Sequence, residues 1–257
     1  MRYVNFLLGP LLVLCASCTT QLDVVTIPQN EPVIRAIERM PRGGGYSTLP
    51  KAHRALSHSI RAGRRGDLDL RVRKARPSYC SGATYHVLLG VVQESIEAGA
   101  LELNSNEVQS LLIRGQGDGI GIWGRWNANG PGAAKLVKDL RMGINFESYE
   151  KAQPGDFMKI FWSDQIGKYE YGHLVVYLGT YQHHGEEYVK FWSSNQPRGY
   201  GVKSVPKKAV KWAIFTRITQ IENIKKVDNL AGDDPFLKKM LTRSYSRSSV
   251  RSRCDVE

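Results

Sequence analysis

At Pro154-Gly155-Asp156 the hydrophobic pattern of this chain switches from helical repeat to strand alternation, and that one change limits the folds open to it. Upstream, helix signals dominate. Residues 49–61 and 78–98 carry apolar faces, Asn104-x-x-Glu107 has the form of a capping box for a helix to about residue 114, and Pro131 opens another that closes near Gly143. Downstream, strands are expected at 157–162, 172–179, 187–194, 201–205 and 212–218. Helices followed by consecutive strands imply an α+β fold with an antiparallel sheet, in which the long helix packs on the sheet, and not a doubly wound one.

Length and composition allow one sizeable domain with tails. The chain has 257 residues, 42% hydrophobic and 23% charged, which excludes a channel, a collagen and a disulfide mini-scaffold. Its formal charge of +12 attracts polyanions: nucleic acid, an anionic membrane face or an acidic cell-wall polymer. The beginning of the chain narrows that choice. Arg2, an apolar run to Leu14 and the small residues of Cys15-Ala16-Ser17-Cys18 read as an export signal over 1–17, since the run is too short to cross a bilayer. Small residues before Cys18 are similar to the lipobox of bacterial lipoproteins, which makes Cys18 the expected lipidation site and membrane anchor. Residues 18–49 then read as a tether with a short helix at 31–40. A domain at 50–221 and a basic extension at 222–257, with a helical stretch at 229–234 and a disordered Ser/Arg tail, complete the expected organisation.

With Cys15 removed and Cys18 lipidated, Cys80 and Cys254 remain. That is neither a disulfide framework nor a structural zinc set, and Cys254 falls in the Ser/Arg tail. Cys80 stands in the first turn of the longest helix, with Ser78 as the expected N-cap. There the first-turn N–H groups lower a thiol's pKa and can receive an oxyanion. Gly82 suggests a close approach to that helix start, such as by a strand bearing a base.

Of the 6 histidines, His86 lies about 600° of helical rotation beyond Cys80 and points away. His53 and His58 lie in the basic N-terminal region, and His183 and His184 at a hairpin tip. His173 opens the apolar strand His173-Leu174-Val175-Val176-Tyr177-Leu178, at the rim of a buried sheet, where a base can be held. The returning strand Phe191-Trp192-Ser193-Ser194-Asn195 brings either Asn195 or Ser193 beside it as orienter, Asn195 being preferred. Tyr79 and Ser81 flank the nucleophile. They are candidate substrate contacts together with Trp123 and Trp126, which sit in the glycine-rich stretch 116–130 and are read either as packing or as a sugar platform. Asp156 is read as a turn residue or as an assistant to the site.

Cys80-Ser81-Gly82 opening a long helix, Pro154-Gly155-Asp156 leading into a strand, and Gly172-His173-Leu174-Val175-Val176-Tyr177-Leu178-Gly179 together resemble the NlpC-type cysteine peptidases, the cell-wall branch of the papain superfamily. The resemblance covers residues 78–218. It implies an NlpC-like, papain-like fold, Cys80 as nucleophile, His173 as base and Asn195 as orienter, with no metal and no cofactor. It further implies peptidoglycan as partner and an amide bond of the stem peptide as substrate, in the cell envelope. Tyr79 stands where that family usually has an acidic residue. A catalytically inactive peptidoglycan-binding lipoprotein and an amidase acting at the glycan-peptide junction are the alternatives. Nucleic acid is not an expected partner, since the chain carries no recognition motif for it.

Overall fold

The computed structural model describes residues 26–63, 67–230 and 232–257. The expected export segment, Cys18 and the first part of the tether lie outside the described residues. In chain order the elements are α1 (Glu31–Glu38), β1 (Gly43–Gly44), α2 (Pro50–Ser59), β2 (Ile60–Ala62), β3 (Leu68–Leu70), α3 (Cys80–Glu97), α4 (Ser105–Leu111), α5 (Gly121–Trp126) and α6 (Gly132–Leu140). They are followed by β4 (Gly143–Phe146), β5 (Phe157–Phe161), β6 (Gly172–His183), β7 (Glu186–Asn195), β8 (Gly199–Pro206), β9 (Trp212–Ile218), α7 (Pro235–Lys238) and α8 (Arg247–Cys254).

The fold is α+β. One sheet runs in the order β1-β8-β7-β6-β5-β9-β4, with every neighbouring pair antiparallel, and β2 and β3 form a separate ribbon. Alternation along the strands divides the core. Phe157, Leu174, Val176 and Trp192 face α3, whereas Met158, Ile160, Val175, Tyr177 and Phe191 pack on the opposite face with Phe146 and Phe215. Burial on both faces explains why these strands read as continuous apolar runs. α3 rests on β6 and β7, which sets its N-terminus beside the start of β6. Among the described residues no helix is long and apolar enough to cross a membrane.

Described residues on both sides of the expected domain at 50–221 pack into the same body. α1 is no part of a loose tether: Val33, Ile34, Ala36 and Ile37 are buried and the helix packs on α3. The Ser/Arg tail is α8, capped by Ser246 Oγ accepting from Ser249 N at 3.2 Å. Its Val250 and Cys254 are buried with Phe161, Trp212, Phe236, Leu237 and Met240. A helix with only two apolar residues is held because both point inward. Of the helical stretch expected at 229–234, Asn229 closes a 3-10 helix and the described residues after it are not helical. That 3-10 helix spans Ile221–Asn229, and α7 follows the stretch, with Asp234 Oδ1 accepting from Leu237 N at 2.9 Å as the cap of α7.

Candidate active site

The site forms where the N-terminus of α3 meets the paired starts and ends of β6 and β7. Tyr79 is extended (φ −140°, ψ 168°) and Cys80 begins the helix, so the thiol is carried at the helix end where the first-turn N–H groups have no intrahelical partner. Ser78 is not the N-cap. Its hydroxyl donates to Ser194 Oγ at 2.8 Å and ties the approach to α3 onto β7. Gly82 is approached by α2, not by the strand carrying the base: a Cβ there would lie 2.9 Å from Leu56 Cδ2.

Cys80, His173 and Asn195 are brought together. Cys80 is partly exposed and its thiol interacts electrostatically with the His173 ring. His173 Nε2 lies 3.1 Å from Asn195 Oδ1, and Asn195 is buried. The Asn195 amide nitrogen donates to Gly201 O at 2.8 Å and Ser193 O at 3.2 Å, which fixes its oxygen toward the ring. Ser193, the other expected orienter, donates its hydroxyl to Leu174 O at 2.9 Å instead. The remaining five histidines lie apart: His53 Nδ1 bonds Tyr79 Oη at 2.9 Å, His58 is exposed on α2, His86 Nε2 bonds Ser59 Oγ at 2.9 Å, and His183 and His184 sit on the exposed β6–β7 turn.

Electrostatics favour a thiolate. Burial opposes it, but the hydrogen bond and charge of His173, the Leu174 N–H and the charge of Lys159 outweigh burial. The Cys80 pKa falls from its ordinary 9.0 to about 7. Cys254 behaves oppositely, burial pushing its thiol up to about 12.

Three site residues escaped the sequence reading. Tyr46 is a neighbour of Cys80, its phenol pushed up to about 12 by burial first and then by the charge of the nearby thiolate. It lies on a strap held by Tyr46 N donating to Pro197 O at 3.0 Å and Ser47 N donating to Ser78 O at 2.9 Å. The glycine triplet Gly43-Gly44-Gly45, all at positive φ, was the visible signal of that strap. Lys159 and Glu170 form an ion pair at 2.6 Å whose Glu170 side chain is 1% exposed. A lone lysine within Phe157-Met158-Lys159-Ile160-Phe161 is a signal in itself, because a charge in a buried strand must have a use or a partner.

The expected substrate contacts divide. Ser81 stays at the cleft, its hydroxyl donating to Asn127 Oδ1 at 2.6 Å. Tyr79 is buried against His53, their ring centroids 4.7 Å apart, and burial pushes its phenol well above the ordinary range. Trp123 and Trp126 belong to α5 rather than to an exposed loop, so neither is a sugar platform. Trp123 packs on Tyr85 at 5.1 Å, and Trp126 meets Phe157 edge-on at 5.1 Å while its indole N–H donates to Ser81 O at 3.2 Å. Trp126 therefore braces the helix that carries the nucleophile. Asp156 is an anchor away from the sulfur: buried, it accepts from Arg217 Nε and Nη2, each at 2.8 Å, and from Asn30 Nδ2 at 2.7 Å.

A cleft of about 110 Å³ opens beside the sulfur, lined by Cys80, Ser81, Asn127, Asn129, Lys159 and Gly172 among others. A larger groove, about 700 Å³ between residues 37–43 and the β7–β8 turn, touches the site only at Asn195 and holds neither nucleophile nor base. Among the described residues no group of three or more His, Cys, Asp or Glu side chains is placed to hold a metal ion. No protein-family model, curated protein or solved structure matches this chain.

Proposed function

We propose that the protein is a cysteine hydrolase of NlpC-like type that cleaves an amide bond of the peptidoglycan stem peptide through a Cys80 acyl-enzyme. The observation that carries this reading is the relay Cys80–His173–Asn195 at the start of a buried helix, with the thiol held near pKa 7. The Cys80 thiolate attacks the scissile carbonyl, and the first-turn N–H groups of α3, with the Tyr46 hydroxyl beside the sulfur, face the developing oxyanion. With Nε2–H held by Asn195, His173 presents Nδ1 to the reaction, protonates the leaving amine, then takes a proton from the water that releases the acyl group. No step calls for a metal or cofactor. The papain-like fold, the Cys18 lipid anchor and the cell-envelope location belong to this proposal, as does peptidoglycan as partner.

The test is digestion of purified peptidoglycan by the soluble chain, with products identified by mass spectrometry beside a Cys80→Ala control. Stem-peptide fragments that vanish in the variant are expected. Free lactyl-glycan ends would place the cut at the glycan-peptide junction instead. No products, with Cys80 unreactive toward iodoacetamide in the folded chain, would leave the inactive peptidoglycan-binding reading.

A further inference from the structure

One charged side chain at the cleft favours the Cys80 thiolate by its charge but takes no direct part in the mechanism above. Lys159 is the partner of Leu174 in the β5–β6 ladder, so the lysine sits one position along from the pair Ile160–His173. Strand alternation puts it on the face of Phe157 and Phe161, toward α3, and its side chain is 13% exposed where it lines the cleft with Cys80. Glu170 Oε1 lies 2.6 Å from Nζ as an ion pair without hydrogen-bond geometry, while Oε2 accepts from Gly167 N at 2.9 Å, so the carboxylate is held and its charge keeps the ammonium beside it. Gly172 completes the arrangement: a Cβ there would collide with Lys159 Nζ and with the Glu170 carboxylate.

An ammonium carries three donors, and Glu170 takes none of them in hydrogen-bond geometry. The opposite wall presents the Asn127 and Asn129 region and the small residues Gly130 and Gly132. The space of about 110 Å³ suits a group of a few heavy atoms and not a long side chain. A short anionic group next to the scissile carbonyl meets those requirements of size and charge.

We propose that Lys159 is a specificity-determining residue that binds a carboxylate carried by the substrate residue flanking the scissile amide, so that the enzyme takes acidic amides in preference to their carboxamide counterparts. The inference rests on Cys80 being the nucleophile of the preceding section. Glu170 and Gly172 are positioning residues for the ammonium.

Alkylation of Cys80 by iodoacetate and by iodoacetamide tests it, because the reagents differ only in carrying a carboxylate or its neutral counterpart. Both need the thiolate, so the ratio of their rate constants cancels any change in the Cys80 pKa. Replacing Lys159 with Met should lower the iodoacetate-to-iodoacetamide ratio by about three- to tenfold, as expected for one charge several ångströms away. Lys159→Arg should keep it. The double variant Lys159→Met/Glu170→Gln guards against unfolding caused by a buried unpaired carboxylate, and should show a smaller fall, since the repelling carboxylate leaves with the ammonium. An unchanged ratio in folded variants would overturn the inference. A thiol unreactive toward both reagents would overturn it together with the proposed function. Peptidoglycan digestion separates the two readings: cleavage with an unchanged ratio removes only the carboxylate subsite, and a Lys159-dependent ratio without cleavage removes only the peptidase.

Discussion

The Asn195 amide can face His173 only through its oxygen, because its nitrogen is committed to the carbonyls of Ser193 and Gly201. The contact at 3.1 Å therefore requires a hydrogen on His173 Nε2, leaving Nδ1 for the thiol. Asn195→Ala should slow amide hydrolysis about tenfold to hundredfold, part of the roughly 10²–10⁴ that a positioned base contributes. Asn195→Asp should retain more activity than Asn195→Ala, since it still accepts from Nε2–H. Steady-state rates of the two variants check this, and equal losses would show that the contact does not orient the ring.

The pH dependence of Cys80 follows from its lowered pKa. Iodoacetamide labelling should rise with a midpoint near pH 7, followed by mass spectrometry of the peptide containing residue 80. In His173→Ala the burial remains while the main compensating partner is gone, so the midpoint should move up toward or beyond 9.0. The sign for stability is the same as for any depressed acid. The folded chain binds fewer protons than the unfolded one between pH 7 and 9, and the contribution is lost as pH falls through 7.

What was legible in the sequence was whatever rests on local periodicity and on caps. The strand Trp212–Ile218 has the expected bounds, the capping box of α4 is formed by Asn104 and Glu107, and the helix of Cys80 runs close to its expected length. Cys80, His173 and Asn195 could be paired because antiparallel return fixes which strand ends meet. Tyr46 could not be placed, since a glycine strap has no period and reaches the sulfur only through long-range backbone bonds. The same limit hid the depth of Trp123 and the inward face of α8. Glycine-rich and Ser/Arg-rich composition suggests exposure, but a few large or apolar side chains facing a cavity decide burial.

That inward face makes the second thiol a control for the first. Cys254 is fully buried and held toward the protonated form, and its carbonyl accepts from Asn145 Nδ2 at 2.8 Å, so α8 is fastened to β4. At pH 8, brief iodoacetamide treatment of the native chain should label Cys80 and spare Cys254, and denaturation should expose both. Deleting residues 247–257 should lower the melting temperature, because Val250 and Cys254 leave a cavity beside Phe236 and Met240. By the usual cost of truncating buried apolar groups the loss is about 2–5 kcal/mol. Equal labelling of both cysteines in the native chain would contradict the packing of α8.

His86 supplies an acid-sensitive element of stability separate from catalysis. Its ring is buried on α3, with Nε2 bonded to Ser59 Oγ at 2.9 Å, while the Ser59 hydroxyl donates to Leu56 O at 2.5 Å. Burial lowers its pKa from 6.5 to about 4, outweighing the Gly82 carbonyl, which favours the charged ring. The unfolded chain consequently binds more protons than the folded one between those values. Stability is fully present above pH 6.5 and declines as pH falls toward 4, by about 3 kcal/mol for this group. Urea unfolding at pH 7 and pH 4.5 should show this fall in the wild type, beyond that of His86→Leu, whose apolar side chain has no proton to take up. The variant should be less stable at pH 7, where the bond to Ser59 is lost, yet flatter across the acid range. Parallel acid profiles for the two chains would mean that His86 takes up its proton without opening the junction between α2 and α3.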